Sequence, residues 1–253
     1  MCGRFALTAT PEEIEAMFAL LDVGTFPPRY NIAPTQPILM VLAGERQEPG
    51  ANRPDRRSLL VRWGFIPAWA KDTRTFPLLI NARAETAIEK AAFRNAMRHR
   101  RALIPASGFY EWRRNGKNFS QPYWVRPKHG GVVAFAALME TYAEPGGSEI
   151  DTGAILTTAA SADIAHIHDR MPIVIQPEDF SRWLDCRTQE PRDVIDLMRT
   201  VQPDFFDAFP VSNLVNKVGN TGPDLQRRVE QAAAAPREPA KKKPARVDQL
   251  TLF

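Results

Sequence analysis

Residues 108–125 read Gly-Phe-Tyr-Glu-Trp-Arg-Arg-Asn-Gly-Lys-Asn-Phe-Ser-Gln-Pro-Tyr-Trp-Val. An Asn115-Gly116 pair stands between two aromatic-rich runs, 110–113 and 119–125. Asn-Gly is a strong short-range hairpin signal, because both residues accept the positive φ that a tight turn needs. The segment therefore predicts two antiparallel strands. Working outward, apolar or β-branched runs bounded by turn residues predict strands at 38–42, 59–65, 78–80, 102–105, 123–126, 132–138 and 154–158. Helical spacing is found at 11–21, 85–98, 162–168, 177–185 and 192–201. Thr10 before Pro11-Glu12-Glu13 supplies a cap, a first-position proline and acidic residues at the helix start. Strands outnumber helices and do not alternate regularly with them. That predicts an α+β fold built mainly on antiparallel sheet.

The chain has 253 residues, of which 44% are hydrophobic and 25% charged, an ordinary globular balance. No apolar run approaches the roughly 18–20 residues that would cross a membrane. The N-terminus lacks a signal-peptide layout. Two cysteines make no disulfide framework, so a reducing compartment is expected: cytoplasm, in association with the nucleoid. No zinc spacing and no phosphate-binding glycine motif is present, so neither metal nor cofactor is expected. Net charge is +4, but residues 236–253 hold five basic groups and two acidic ones. The rest of the chain is close to neutral, and a nucleic-acid surface there must be a local patch. Residues 232–248, rich in Ala, Pro and Lys, predict a disordered tether. The polar stretch 45–57 predicts an exposed loop.

Cys2 follows the initiator methionine. Removal of Met1 would place an α-amine and a thiol on one residue. The amine has a reference pKa of about 7.7–8.0, so roughly a tenth is neutral at pH 7. Such an aminothiol traps aldehydes: the amine forms an imine and the thiol closes on the imine carbon, giving a five-membered thiazolidine. Closure is favoured because it is intramolecular. The same group could instead run acyl transfer. By position alone, Cys2 could also be incidental.

Four further segments are dense in polar and aromatic residues. They are Asn31-Ile32-Ala33-Pro34-Thr35; Arg62-Trp63-Gly64-Phe65-Ile66-Pro67-Ala68-Trp69 followed by Asn81-Ala82-Arg83-Ala84-Glu85; Gly108-Phe109-Tyr110-Glu111-Trp112; and Ile167-His168-Asp169-Arg170-Met171-Pro172. With Met1-Cys2-Gly3-Arg4-Phe5 they resemble the SOS-response-associated peptidase (SRAP) family, the abasic-site-processing proteins, over residues 1 to about 220. The resemblance implies one domain, 1–231, with an antiparallel, barrel-like β core flanked by helices. It also implies binding of single-stranded DNA, or a single-strand/duplex junction, and a covalent crosslink to the ring-opened abasic aldehyde; a monomer is expected.

By that resemblance Cys2 is the nucleophile and Asn81 the amide beside it. Glu111 is the glutamate that moves protons during imine formation, and His168 is the histidine of ring opening or crosslink reversal. Taken singly, each has a plainer reading. Glu111 would be a solvent-facing strand glutamate sharing a face with Phe109. His168 would cap a helix end, and Asn81 would be a turn residue. His99, His129 and His166 read as structural.

Arg4, Arg83 and Arg170 lie within two residues of those positions and suit phosphate contacts. Lys90 would extend the patch along a helix starting near Glu85. Pro34 and Trp69 are candidates for an apolar wedge against bases; Trp63 reads as core. The chain closes with Gln249-Leu250-Thr251-Leu252-Phe253, which resembles the bacterial sliding-clamp-binding pentapeptide; Gln249, Leu250, Leu252 and Phe253 are its candidate contacts. Two rival functions stay open on the sequence: an N-terminal-nucleophile peptidase or amidohydrolase, and a non-catalytic single-stranded-DNA-binding module.

Overall fold

A computed structural model describes residues 2–44, 55–73, 76–114, 120–144 and 146–230. In chain order its elements are β1 (Phe5–Leu7), α1 (Pro11–Phe18), β2 (Arg29–Ile32), β3 (Pro37–Ala43), β4 (Arg56–Trp63), β5 (Asn81–Arg83), α2 (Ala84–Ala87), α3 (Arg94–His99), β6 (Arg101–Ala106), β7 (Gly108–Arg114), β8 (Ser120–Pro127), β9 (Val133–Ala143), β10 (Glu149–Ala159), β11 (Arg170–Pro172), β12 (Val174–Ile175), α4 (Phe180–Leu184) and β13 (Phe206–Pro210). The fold is α+β and mostly antiparallel, with few and short helices.

Two sheets carry it. One has the order β13-β8-β7-β1-β2. The other runs β11-β10-β4-β3-β6-β9-β12, and β10 also pairs with β9. That second pairing closes β10, β4, β3, β6 and β9 into a five-stranded barrel. An odd-numbered ring cannot alternate direction throughout, so it must contain a parallel seam. Here the seam is β10 beside β4, with Thr152 opposite Arg62, and β5 continues parallel to β10 with Asn81 opposite Ile155. On the strands of this ring Ala102, Ala134, Ala136, Ala137 and Ala154 are all fully buried. A Cβ on Gly153 would lie 2.3 Å from the Met40 Cε, so the Met40 side chain would have to shift.

The 108–125 hairpin forms β7 and β8, in register from Phe109 opposite Val125 to Arg114 opposite Ser120. Its Asn115-Gly116 turn lies outside the described residues. Gly108 opens β7 at φ +156°, where a Cβ would meet the Val125 carbonyl oxygen at 2.4 Å. The two sheets are joined by aromatic edges. Phe5 lies 5.2 Å from Trp63 and 6.2 Å from Phe135, and Phe109 lies 6.0 Å from Phe135. Trp63 is core, as its strand position implied, and its indole donates to the Ile80 carbonyl at 3.0 Å.

Several local expectations change. α1 is capped by Thr10 and Glu13 reciprocally, but ends at Phe18 because Ala19 turns left-handed at φ 51°. The helix expected over 85–98 is broken into α2 and α3. At 100° per residue an unbroken helix would turn Ala87 away from Phe93, Ala96 and Met97. The break lets all four be buried. The 162–168 segment is a run of turns, and 191–197 is a 3-10 helix. Residues 78–80 make only an isolated bridge, Leu79 with Phe65. Of the loop expected at 45–57, Arg56 and Arg57 belong to β4, and 45–54 lie outside the described residues. The tether at 232–248 and the pentapeptide at 249–253 lie outside them too. Among the described residues no helix is long and apolar enough to cross a membrane.

The pattern gave no sign of Arg101. It is 1% exposed, and its side chain donates to four backbone carbonyls: Trp183, Met97, Asp185 and Gln189, at 2.7–2.9 Å. Its charge therefore sits at the carbonyl ends of α3 and α4, where helix dipoles favour a cation. Arg101→Met should cost about 3 kcal/mol or more, because the carbonyls left behind are buried. Thermal unfolding by circular dichroism should show a melting point lower by on the order of 10 °C. A change within about 2 °C would mean that water replaces the guanidinium at no cost.

Candidate active site at the buried Cys2

Four side chains from four separate segments meet at one end of the sheet pair. Cys2 is held there because β1 is pinned from both sides, Phe5 standing opposite Ile32 on β2 and Phe109 on β7. Cys2 is fully buried, and its Sγ faces the Arg4 carbonyl at 3.8 Å. Asn81 reaches it from β5, donating from Nδ2 to the Cys2 carbonyl at 2.9 Å. The Asn81 Oδ1 is buried without a hydrogen-bond partner among the described residues. An amide fixed at one end and open at the other is set to receive a donor, such as a hydroxyl or an amine.

Glu111 arrives from the middle of β7. The solvent-facing reading is wrong for it: the residue is 3% exposed. It does share a face with Phe109, but that face is turned inward. Burial pushes its carboxyl above the ordinary glutamate range, partly opposed by the charge of His168. The Cys2 thiol is pushed up as well, first by burial and then by the Glu111 carboxylate. Both shifts favour the protonated forms, a thiol beside a carboxyl.

His168 sits in the turn before β11 rather than at a helix end. The Arg170 backbone N–H donates to its Nδ1 at 3.0 Å, which leaves the neutral ring's proton on Nε2. The exposed Asp169 carboxylate also stands 3.0 Å from Nδ1. Both contacts cannot use the same form of the ring. The neutral ring accepts from Arg170, and the protonated ring donates to Asp169.

The cations divide into two groups. Arg4 donates through Nη1 to Asn31 Oδ1 at 2.7 Å and to the Val215 carbonyl at 2.8 Å. Arg170 forms a two-point pair with Glu85, at 2.5 and 2.9 Å, and donates to the Thr157 carbonyl at 2.6 Å. Both are already engaged inside the protein. Arg83 and Lys90 are exposed and make no side-chain hydrogen bond or ion pair among the described residues. Lys90 lies in the turn after α2 rather than along a helix. Trp69 is 58% exposed; its indole N–H reaches the Ala91 carbonyl at 3.3 Å, and its ring edges Phe76 at 5.7 Å. Pro34 is half-buried in the loop between β2 and β3. His99, His129 and His166 are exposed, and the His166 ring stands edge-on to Tyr123 at 6.1 Å.

Two residues of this site carried no assigned role in the sequence. Glu85 holds Arg170. Asn31, buried, accepts from Arg4 and donates to the carbonyls of Lys217 and Asn220, tying down the 3-10 segment Asn213–Asn216 and the turn after it. Both lie inside the motifs, which was the only signal. Among the described residues no group of three or more His, Cys, Asp and Glu could hold a metal ion.

A family model described as SOS response associated peptidase (SRAP) matches residues 1–218. Among similar proteins, abasic site processing protein YoqW of Bacillus subtilis is 37% identical over 228 residues, covering 89% of this chain and 98% of that protein. Abasic site processing protein YedK of Escherichia coli is 34% identical over 233 residues, covering 89% and 98%. Abasic site processing protein HMCES of Gallus gallus is 26% identical over 266 residues, covering 91% and 78%. A solved structure from Bacteroides thetaiotaomicron matches with a TM-score of 0.73 at 21% identity, covering 90% of this chain and all of that one. That last likeness concerns the fold alone.

The raised Glu111 carboxyl has a consequence for stability. The folded state holds its proton more tightly than the unfolded state, whose carboxyl titrates near about 4.3. Above that pH the ionised carboxylate costs the folded state progressively more. Glu111→Gln removes this titration. The melting-temperature difference, Gln variant minus wild type, should therefore grow from pH 5 to pH 8, by about 2–4 °C for each kcal/mol. A gap that stays flat or shrinks with pH would show that burial does not raise this carboxyl.

Proposed function

Because this chain belongs to the SOS response associated peptidase family, we propose that it processes abasic sites in DNA, by crosslinking covalently to the ring-opened sugar through Cys2. The observation that carries this reading is the burial of Cys2 beside Asn81 and Glu111, with His168 coupled to that carboxyl. Removal of Met1 frees the Cys2 amine. The neutral amine adds to the sugar aldehyde carbon, giving a carbinolamine. Glu111, whose burial favours its protonated form, gives a proton to the departing oxygen, and water leaves. The thiol then adds across the resulting C=N bond: sulfur bonds to carbon, and the thiol proton ends on nitrogen. The product is a thiazolidine, with mass equal to protein plus DNA minus water.

In this scheme Asn81 fixes the Cys2 backbone with its amide N–H and offers Oδ1 to the amine or a sugar hydroxyl. His168 is the proton carrier on the opposite side of Glu111, available for ring opening and for reversal. Arg83 and Lys90 are the cations open to phosphates, and the exposed face of Trp69 is the stacking surface at the lesion. Arg4 and Arg170 shape the pocket, and would meet a phosphate only by sharing their present partners. The crosslink would shield the lesion from strand cleavage at stalled forks. The Gln249–Phe253 tail would bring the domain there by engaging the sliding clamp.

A thiolate-based peptidase reaction is the weaker reading. It needs a thiol whose pKa is lowered, whereas burial and Glu111 both push this one up.

Intact-mass spectrometry tests the proposal directly. After incubation with single-stranded DNA carrying one abasic site, the protein should lose Met1 and gain the mass of the DNA less one water. Cys2→Ala should give no adduct, and Glu111→Gln should slow its formation by about 10²-fold or more. Loss of Met1 with no adduct would refute the chemistry. Arg83→Ala should weaken DNA binding and lower the slope of log affinity against log salt by about 0.7 on single strands. An unchanged slope would remove Arg83 from the phosphate contacts.

A further inference from the structure

A deep cleft lies away from Cys2. It has a volume of about 930 Å³, within the roughly 300–1,000 Å³ range of small-molecule sites. Its walls are the end of β3, the start of β4, the α3–β6 junction and the end of α4. It lies at the far end of the β3–β4 ladder. Pro37 pairs with Arg62 beside the Cys2 end, and Ala43 pairs with Arg56 beside the cleft. Seven residues of strand separate them, about 20 Å. The two sites are therefore distinct.

The cleft's lining is strongly basic on a folded body that is close to neutral. Arg56, Arg57, Arg100, Arg101 and Arg187 line it with His99, against two aspartates, Asp55 and Asp185. Three of the arginines have structural duties. Arg101 holds its four backbone carbonyls. Arg56 donates to the Phe18 carbonyl at 3.1 Å and to Ser181 Oγ at 3.0 Å. Arg100 meets Thr141 Oγ1 at 2.9 Å and Glu140 at 3.4 Å. The Asp185 carboxylate accepts from the Arg187 and Thr188 backbone N–H groups at 2.9 and 3.0 Å, so it is engaged in its own loop. Arg57 and Arg187 are exposed and have no side-chain partner among the described residues. The cleft is thus lined by two arginines without side-chain partners among the described residues, Arg57 and Arg187, and by three arginines held in the fold. A planar fork of N–H donors matches phosphate oxygens in pairs.

We propose that this cleft is a second binding site, separate from Cys2, for a phosphate-bearing ligand held by Arg57 and Arg187. The phosphate could belong to a small phosphorylated molecule or to a nucleic-acid backbone.

The test uses the full chain carrying Cys2→Ala, so no crosslink forms and the outcome is independent of the abasic-site chemistry. Arg57→Ser with Arg187→Ser removes the two forks from exposed positions, and the melting point without ligand should not move. Inorganic pyrophosphate is the first probe. It should raise the melting temperature of the parent, and its apparent affinity should fall at least tenfold in the double variant. An undamaged single-stranded oligonucleotide is the second. The double variant should lower its salt slope by about 1.4, two contacts at roughly 0.7 each. A response to pyrophosphate alone assigns the cleft to a small phosphorylated ligand. A change in the oligonucleotide slope assigns it to nucleic-acid backbone. If neither probe distinguishes the double variant from its parent, the proposal is wrong. Arg83→Ala serves as the control, altering the oligonucleotide slope without touching the pyrophosphate response.

Discussion

The placement of Phe5 is the constraint on which the rest depends. Its ring is 1% exposed and meets Trp63 and Phe135 of the barrel, while its backbone belongs to the other sheet. Aromatic edges of this kind add about 0.5–1.5 kcal/mol each beyond the burial of area. They also fix orientation. Cys2 lies only three residues upstream, so pinning Phe5 leaves the start of the chain little freedom. N-terminal segments are otherwise the least ordered parts of a domain. Here such a segment is pinned, and Cys2 is fully buried.

Burying the cysteine sets the electrostatics of everything near it. A carboxyl and a thiol are both buried, which disfavours the ionised form of each, and the Glu111 carboxylate further disfavours the thiolate. Burying the carboxyl works against stability at pH values above the ordinary glutamate range. The barrel can carry that cost because its strands are closely packed, with Ala102, Ala137 and Ala154 fully buried and Met40 packed close over Gly153. Asn81 adds an amide that does not titrate, so it stays oriented whichever way the neighbouring protons move.

The arginines show how little residue type says about role. Arg101, Arg4 and Arg170 are held by carbonyls, an amide and a carboxylate inside the fold. Arg83 near the Cys2 end, and Arg57 and Arg187 at the opposite end, have no side-chain partner among the described residues. In the sequence, Arg4, Arg83 and Arg170 look alike: each is near a motif and each suits a phosphate. What separates them is whether a partner from a distant segment arrives first. Val215 is 211 positions from Arg4, and Glu85 is 85 from Arg170.

Local order was legible in the residues themselves. The pairing of β7 with β8, the Thr10–Glu13 cap, the main barrel strands and the α+β class all follow from interactions between near neighbours. The alternation along 108–112 also put Glu111 on the face of Phe109. It could not say which face is inward, because both are covered. Phe109 and Glu111 turn toward the main core, while Tyr110 packs against Trp124 in a second cluster. Period-two patterning locates a buried face only when the other face meets water. The short strands β1, β2 and β11 to β13 escaped notice for a related reason. At two to five residues they have little pattern of their own and are held by the strands they pair with. The sequence by itself determined which residues could do chemistry. Tertiary structure alone decided which of them lose their water and which arginines are already taken, because both depend on segments that meet only after the barrel has closed.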